Sequence, residues 1–364
     1  MRRNLWRNFD FYLFGAVVFM CIFGIIMIQS AIAGNAELLD SPRRQAIFVA
    51  GGIVLVIIMA AIDYHLWASL AKFIYAFAFV ALFGIFVYGE ARFGSARWID
   101  TGLILIQPSE IVKILMIMVL AEHFDRTKDE KRDFRWIGRS FILTLGVVVW
   151  ILLQPNLSTS IVIFVIWFAM LWVSGLPAKY LAILGVVALL LIAVMFPFLE
   201  DYQQARILNF IFPNPEASYG EEYNIQQSKI AIGSGGWFGE GYAQGTQVQL
   251  RFMKVRHTDF IFSVVGEEFG FVGTMAVIGL MAFIILRCLR IAQTASDNYG
   301  SLLAFGYAAM LFFQTAVNIG VNLNLVPVSG LPFPFLSYGG SSLISTIMGI
   351  GLVESVALRK KTIQ

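Results

Sequence analysis

Charged residues are scarce in this chain, and so are cysteine and histidine. Charged residues make up 13% of the chain and hydrophobic residues 59%, whereas soluble domains carry about 25% charged residues. The two cysteines, Cys21 and Cys288, provide neither a disulfide framework nor metal-ligand spacing, and the three histidines are scattered. No long basic run indicates nucleic-acid binding, and the lack of a strong internal repeat argues against a transporter built from inverted repeats. A soluble domain is excluded, and a polytopic membrane protein remains.

Long apolar runs are what the sequence has in abundance. A run of roughly 20 apolar residues crosses a bilayer as a helix. The first run is longer than the apolar core of a signal peptide, so we expect an uncleaved span. The sequence therefore predicts an all-α integral membrane protein, organised as one polytopic domain over residues 1–364. The ten predicted spans are about 11–33, 44–62, 68–88, 107–123, 138–153, 157–174, 179–198, 259–287, 300–320 and 338–358.

Lysines and arginines are unevenly distributed among the segments that join the spans. If the N-terminus is placed in the cytoplasm, sixteen lysines and arginines fall in the inner segments and nine in the outer segments. Because positive charge is enriched on the cytoplasmic side, both termini are predicted to be cytoplasmic. A large loop between spans 7 and 8, about 199–258, then lies outside. Its aromatic residues argue against disorder, and we expect short helices lying on the membrane surface.

The stretch 244–273 changes from a polar loop into an apolar run that contains three acids. Asp259 stands at the change, and Glu267 and Glu268 lie deeper. Carboxylates entering a membrane helix are costly and therefore indicate function. If the run is helical, Asp259 is the acid nearest water, above a face of small residues. A helix-capping aspartate at the membrane edge is the alternative. The glycines of that face are Gly266, Gly270 and Gly273.

Positive charge gathers just before Asp259. A cationic patch beside a carboxylate suits an anionic head group, such as a pyrophosphate, next to a general base. A juxtamembrane patch that contacts anionic lipid is the alternative. The residues of this patch are Arg251, Lys254, Arg256 and His257, and Thr258 follows them.

Three further polar clusters open predicted spans. Glu110 and Lys113 follow Gln107 and are spaced to pair within a helix. They form either a self-neutralised pair with a structural role or a functional pair in which one of them faces a polar cavity. Asn156 is placed to cap the sixth span. The last span opens with backbone N–H groups that could hold phosphate oxygens, or with glycines that serve close helix packing. Its candidate residues are Ser337, Gly339, Gly340 and Ser341.

Together and in this order, the clusters resemble the SEDS family (shape, elongation, division and sporulation) of membrane glycosyltransferases that build peptidoglycan, and most of all its elongation members. Asn156 departs from the family pattern, which usually has aspartate there. Met253-Lys254-Val255 stands where the family often has Leu-Pro-Glu. The matching blocks are 97–113, 154–159, 230–241, 245–247, 257–273 and 318–342.

The resemblance implies a polymerase that extends glycan strands from lipid II on the outer face of the bacterial cytoplasmic membrane. Asp259 would be the base, with His257 and Thr258 orienting it and Glu110 fixing Lys113. In the family, a single displacement forms the new glycosidic bond and inverts the configuration at the anomeric carbon. Undecaprenyl pyrophosphate is the leaving group. A divalent cation (Mg or Mn) could assist, although the sequence has no dedicated metal cage. The candidates for binding pyrophosphate are Arg251, Lys254, Arg256 and Lys113.

The resemblance also implies a partner, a class B penicillin-binding protein with transpeptidase activity. Two other functions stay open. A lipid II flippase would need acids and cations through the membrane depth, whereas the polar clusters here concentrate at the predicted outer side. A non-catalytic scaffold for the partner would tolerate loss of Asp259.

Overall fold

The computed structural model describes residues 6–32, 35–88, 90–92, 95–100, 105–213, 220–250, 252–253 and 256–360. They form α-helices α1 to α14, of which ten follow the predicted spans within a few residues. In chain order the helices are Phe11–Ala31, Ser41–Ala61, Tyr64–Ser69, Ala71–Tyr88, Pro108–Arg126, Phe134–Leu153, Leu157–Val173, Ala178–Met195, Asp201–Ile211, Gly220–Ser234, Thr246–Gln249, Ile261–Gln293, Asn298–Asn322 and Gly340–Leu358.

Most of the ten helices are long and apolar enough to cross a membrane. Seven of them, α1, α2, α6, α8, α12, α13 and α14, have both the length and the composition, and α4 and α7 are shorter but apolar. The tenth, α5, carries the buried Glu110 and Lys113, and it is surrounded by α4, α7, α13 and α14. The prediction of an all-α multi-pass membrane protein is confirmed.

Burial separates the interior helices from those at the periphery. In an 18-residue apolar stretch of α14, 83% of the residues are buried. In the corresponding stretch of α8, 0% of the residues are buried, as expected of a helix surrounded by lipid. Helix α14 packs along α2. A Cβ placed on Gly351 would come within 2.6 Å of the Met59 Cβ, so a larger side chain there would push the two helices apart.

Three short strands between α4 and α5 add to the predicted helices. The strands β1 (Glu90–Arg92), β2 (Ser95–Asp100) and β3 (Leu105–Ile106) form an antiparallel sheet in that order. β1 and β3 are too short to show a clear alternation of apolar and polar residues. The sheet leads the chain directly to the start of α5.

The predicted outer loop, 199–258, contains α9, α10 and α11, which confirms the expectation of short helices. Helix α9 lies over the turn between α6 and α7, where the Tyr202 hydroxyl donates to the Pro155 carbonyl at 2.7 Å. Helix α10 packs on α12 and α13, and the Ser228 hydroxyl donates to the Asn322 carbonyl at 2.9 Å. The loop is thus folded onto the bundle. Its location at the membrane surface stays a prediction.

Helix α12 is interrupted at Gly270, where φ is 63° and ψ is −159°. Residues 236–241 of the loop fill the break through four backbone hydrogen bonds. Non-helical backbone at membrane depth is tolerated where its polar groups pair inside the protein, and here the loop and the broken helix pair with each other. The N–H to carbonyl bonds run from Glu240 to Glu267, from Gly241 to Glu268, from Phe271 to Gly236 and from Val272 to Trp237.

Docking of this loop requires a glycine at position 239. Its φ is +82°, and a Cβ there would lie 2.2 Å from the Glu268 carbonyl oxygen. Gly236 also has a positive φ, +53°, but open space around a Cβ, so it is a control that lacks the clash. We expect Gly239→Ala to destabilise the protein by about 1–3 kcal/mol more than Gly236→Ala. Thermal unfolding in detergent measures this, and equal midpoints for the two variants would contradict it.

Candidate functional site

The predicted base, Asp259, lies in a turn over residues 256–260 that leads into α12. The helix begins at Ile261, after Asp259, and is interrupted at Gly270. The prediction that Asp259 stands above one continuous helical face of glycines is therefore wrong. Gly270 instead breaks the helix, so that the loop can dock.

Two asparagines of α13 hold the turn in place. The side-chain amides of Asn318 and Asn322 donate to the main-chain carbonyl of Asp259, at 3.1 and 3.0 Å. Asn322 also accepts a hydrogen bond from the Ser263 N–H at 3.0 Å, which ties the turn to the start of α12. Among the described residues, none donates a hydrogen bond to the Asp259 carboxylate. The turn is thus anchored through its backbone, which leaves the carboxylate available. Sequence reasoning gave these asparagines no role in the site.

The segment before α14 lies against the same turn. The Ser337 hydroxyl donates to the Thr258 carbonyl at 2.6 Å, and the Tyr338 N–H donates to the His257 carbonyl at 3.0 Å. The structure therefore brings the predicted residues Ser337, His257 and Thr258 together. Ser337 contacts the backbone of the turn and so shapes the surroundings of Asp259.

The glycines at the start of α14 pair with α2. The Gln45 side chain accepts from the Gly339 N–H at 3.3 Å and donates to the Ser337 carbonyl at 3.1 Å. A Cβ on Gly340 would come within 2.9 Å of the Phe48 ring. Both contacts fit the alternative in which these glycines serve close helix packing.

Helices α5, α7 and α14 begin next to one another. The Ser341 hydroxyl accepts from the Gln107 N–H and donates to the Leu105 carbonyl, both at 3.0 Å. Asn156 caps α7 as predicted, and its amide donates to the Ser109 hydroxyl at 3.3 Å. These contacts and the Asp259 turn lie where α2, α5, α7, α12 and α14 begin, which we call the Asp259 end of the bundle.

Lys113 and Glu110 form the predicted ion pair within the first turns of α5. The Lys113 Nζ lies 2.9 Å from the Glu110 Oε2, and the exposed fractions of the two side chains are 1% and 6%. A buried charge requires a partner, because its desolvation is costly. The pair therefore stabilises two charges inside the bundle near the Asp259 end.

The cations predicted to bind a pyrophosphate have different surroundings. Arg251 and Lys254 lie outside the described residues. Arg256 is buried, and its guanidinium donates to the carbonyls of Ala31 and Met253. These bonds fasten the Asp259 turn to the end of α1, so Arg256 has a structural role whether or not it meets a substrate.

The Asp259 carboxyl lies close to an ion pair of the loop. Burial raises the pKa of Asp259 to about 6, while Arg206 lowers this pKa and Glu221 raises it. Arg206 of α9 binds Glu221 of α10 at 2.6 Å. Sequence reasoning missed this pair as part of the site, since no motif marks it and only the folded loop brings it near Asp259.

His257 differs from Asp259 in its electrostatics. Burial, together with the positive charge of Arg256, lowers the pKa of His257 to about 4. The imidazole is therefore neutral at physiological pH when no anionic group lies beside it. The described residues contain no group of three or more His, Cys, Asp or Glu side chains that could hold a metal ion.

The fold and site define a polytopic helical membrane protein with a buried ion pair and a desolvated carboxyl at one end of its bundle. A family model described as "Cell cycle protein", for FtsW, RodA and SpoVE, matches residues 11–362. The chain belongs to this family, which confirms the resemblance found in the sequence.

Relatives and solved structures agree with this assignment over nearly the whole chain. Peptidoglycan glycosyltransferase MrdB of Escherichia coli K12 is 34% identical over 94% of this chain and 91% of its own. Probable peptidoglycan glycosyltransferase FtsW of Geobacter metallireducens is 34% identical over 98% of this chain and 96% of its own.

Two solved structures are similar in fold. The rod shape determining protein RodA of Thermus thermophilus has a TM-score of 0.73 at 30% identity, covering 98% of this chain and 99% of that one. A chain of a peptidoglycan synthase complex, described as coordinating polymerization and crosslinking, has a TM-score of 0.81 at 30% identity, covering 96% and 97%.

Proposed function

We propose that this protein is a peptidoglycan glycosyltransferase that extends glycan strands from lipid II, in support of cell elongation and rod shape. Its relatives MrdB and FtsW are named for that activity. The proposal is carried by the surroundings of Asp259. Its carboxyl is desolvated and receives no hydrogen bond from the described residues, and its backbone is held at one end of the bundle.

Asp259 acts as the general base in this mechanism. The 4-hydroxyl of the acceptor sugar attacks the anomeric carbon of the donor, and its proton passes to the Asp259 carboxylate. The bond from that carbon to the pyrophosphate oxygen breaks, and undecaprenyl pyrophosphate leaves with the electron pair. Configuration inverts in this one displacement. A base with a pKa near 6 is ionised at neutral pH and still basic enough to assist.

Positive charge stabilises the pyrophosphate as it leaves. We assign this role to Lys113 and to three basic residues of the segment before Asp259, which are Arg251, Lys254 and Arg256. Arg206 adds a cation from α9 on the side of the loop. Gln107 and Ser341 position the start of α5, which carries Lys113.

We also propose that both termini face the cytoplasm, so that the Asp259 end opens on the outer face of the bacterial cytoplasmic membrane. The excess of lysine and arginine in the predicted inner segments supports this orientation. A class B penicillin-binding protein is the proposed partner. The similar chain in a synthase complex that couples polymerization to crosslinking supports it.

Incubation of the purified protein with lipid II in detergent tests the activity. Moenomycin blocks a different class of glycosyltransferase, so a treated sample screens out contaminants. Long strands that resist the drug are expected. If no strands form, even with the penicillin-binding partner present, the protein is not a polymerase, and a lipid II translocation assay then tests the flippase function.

The rate of polymerisation is expected to rise with pH through a midpoint near 6, because only ionised Asp259 accepts the proton. Arg206 lowers the pKa of Asp259. Arg206→Gln removes this cation and leaves Glu221 without its partner, so both effects raise the pKa and move the midpoint to higher pH. Initial rates between pH 5 and pH 9 measure the shift. A midpoint that stays in place, or moves to lower pH, would contradict the link between Asp259 and the pair.

A further inference from the structure

A cavity of about 240 Å³ lies between α9, α10 and the end of α13. This volume is below the roughly 300–1,000 Å³ of most small-molecule sites, so the cavity holds a small group rather than a protein segment. Lys229 is exposed at its edge, so the cavity is open to solvent. Its lining residues are Asn209, Pro213, Glu222, Ile225, Gln226, Lys229 and Asn324.

Asn324 provides a polar atom without a partner in this cavity. Its Oδ1 is buried, and no described group donates a hydrogen bond to it. A buried carbonyl oxygen left unpaired is costly, because it has given up its hydrogen bonds to water. A ligand N–H or O–H that reaches this atom would recover that cost.

The lining determines which ligand chemistry fits. Three of the seven lining residues carry side-chain amides, with one carboxylate, one ammonium and the apolar Ile225 and Pro213. A pyrophosphate would require several cations, and Lys229 is the only cation among the described residues that line the cavity. An N-acetylated sugar offers hydroxyls, an amide N–H and an apolar methyl, which match the amides, the carboxylate and the apolar side chains.

The cavity adjoins the proposed active site through three chain connections. Asn324 follows Asn322, which binds the Asp259 carbonyl. Glu222 follows Glu221, and Asn209 is one helical turn beyond Arg206, so the two helices that carry the ion pair also line the cavity. The cavity and the surroundings of Asp259 are therefore built from the same helices, α9, α10 and α13.

We propose that this cavity binds one N-acetylated sugar of the growing glycan strand and retains the strand between successive additions. The proposal rests on the glycosyltransferase function given above. The Asn324 Oδ1 accepts a hydrogen bond from the acetamido N–H, and the Asn209 amide binds a hydroxyl. Retention makes polymerisation processive, so loss of the site shortens the strands without slowing formation of the bond.

Asn324→Gly removes the amide and keeps the fold. Asn324 has a φ of 56° and stands at the glycine position of a Schellman motif. In this motif the Asn324 N–H donates to the Val321 carbonyl at 3.0 Å, and the Leu325 N–H donates to the Gly320 carbonyl at 2.7 Å. Glycine is favoured there. The matched control is Gln227→Ala, on α10 but outside the lining.

The first readout is the strand length on gels, together with the initial rate of lipid II consumption. We expect Asn324→Gly to shorten the mean strand severalfold with a rate within about twofold of the parent, and the control to change neither. Unchanged length, or length and rate that fall together, would overturn the proposal. A parent that makes no strands would instead overturn the glycosyltransferase function.

The second readout is binding and does not depend on turnover. A soluble octasaccharide of alternating N-acetylglucosamine and N-acetylmuramic acid, without peptide or lipid, is titrated by thermophoresis into the parent and into Asn324→Gly. The free stem pentapeptide is titrated in parallel. Binding of the sugar that weakens at least fivefold in the variant supports the proposal. Equal binding to both proteins, or binding of the peptide alone, overturns it.

Discussion

Asp259→Asn is expected to lower the rate of glycan polymerisation by about 10²–10⁴-fold, which is the usual contribution of a general base. Asparagine has nearly the same shape but cannot take the proton of the acceptor hydroxyl. Asn318 and Asn322 bind the main-chain carbonyl of residue 259, and this carbonyl is unchanged by the substitution. The turn should therefore persist, and the loss should come from the chemistry alone.

Strand formation from lipid II and thermal unfolding in detergent measure the two effects separately. Asp201→Asn is a suitable control, because Asp201 is exposed at the start of α9 and undergoes the same chemical change. The control should retain the parental rate. If Asp259→Asn also made strands at the parental rate, Asp259 would not be the base, and a scaffold function would gain support.

The spans could be predicted because bilayer thickness sets their length. Each of the ten predicted spans corresponds to a helix, and the pairing of Glu110 with Lys113 and the capping by Asn156 followed from helical spacing alone. These features depend on residues that are close in sequence. A single sequence contains that information directly.

The break in α12 could not be predicted, because it depends on contacts distant in sequence. Gly270 within an apolar run is compatible with an unbroken helix. Only the docked segment 236–241 supplies the hydrogen bonds that stabilise the interruption. The proximity of Arg206 to Asp259 was missed for the same reason, since it depends on how α9 folds back over the bundle.

Lys113→Ala is expected to destabilise the protein by about 3–5 kcal/mol, the usual cost of removing one partner of a buried ion pair. Glu110 would keep a charge inside the bundle with its Nζ partner gone. Activity should fall as well, but this variant alone cannot tell whether folding or substrate binding is responsible. Thermal unfolding and the yield of folded protein measure the first effect.

The double variant Glu110→Gln, Lys113→Met separates the two roles. It removes both charges and keeps similar volumes, and replacing a buried pair by uncharged side chains is often neutral for stability. Thermal stability should therefore return close to that of the parent. If Lys113 binds the pyrophosphate, polymerisation stays lost, because the cation that stabilises the leaving group is absent. Recovery of activity together with stability would show that Lys113 serves only to neutralise Glu110. The pyrophosphate would then be bound by the basic segment before Asp259 and by Arg206.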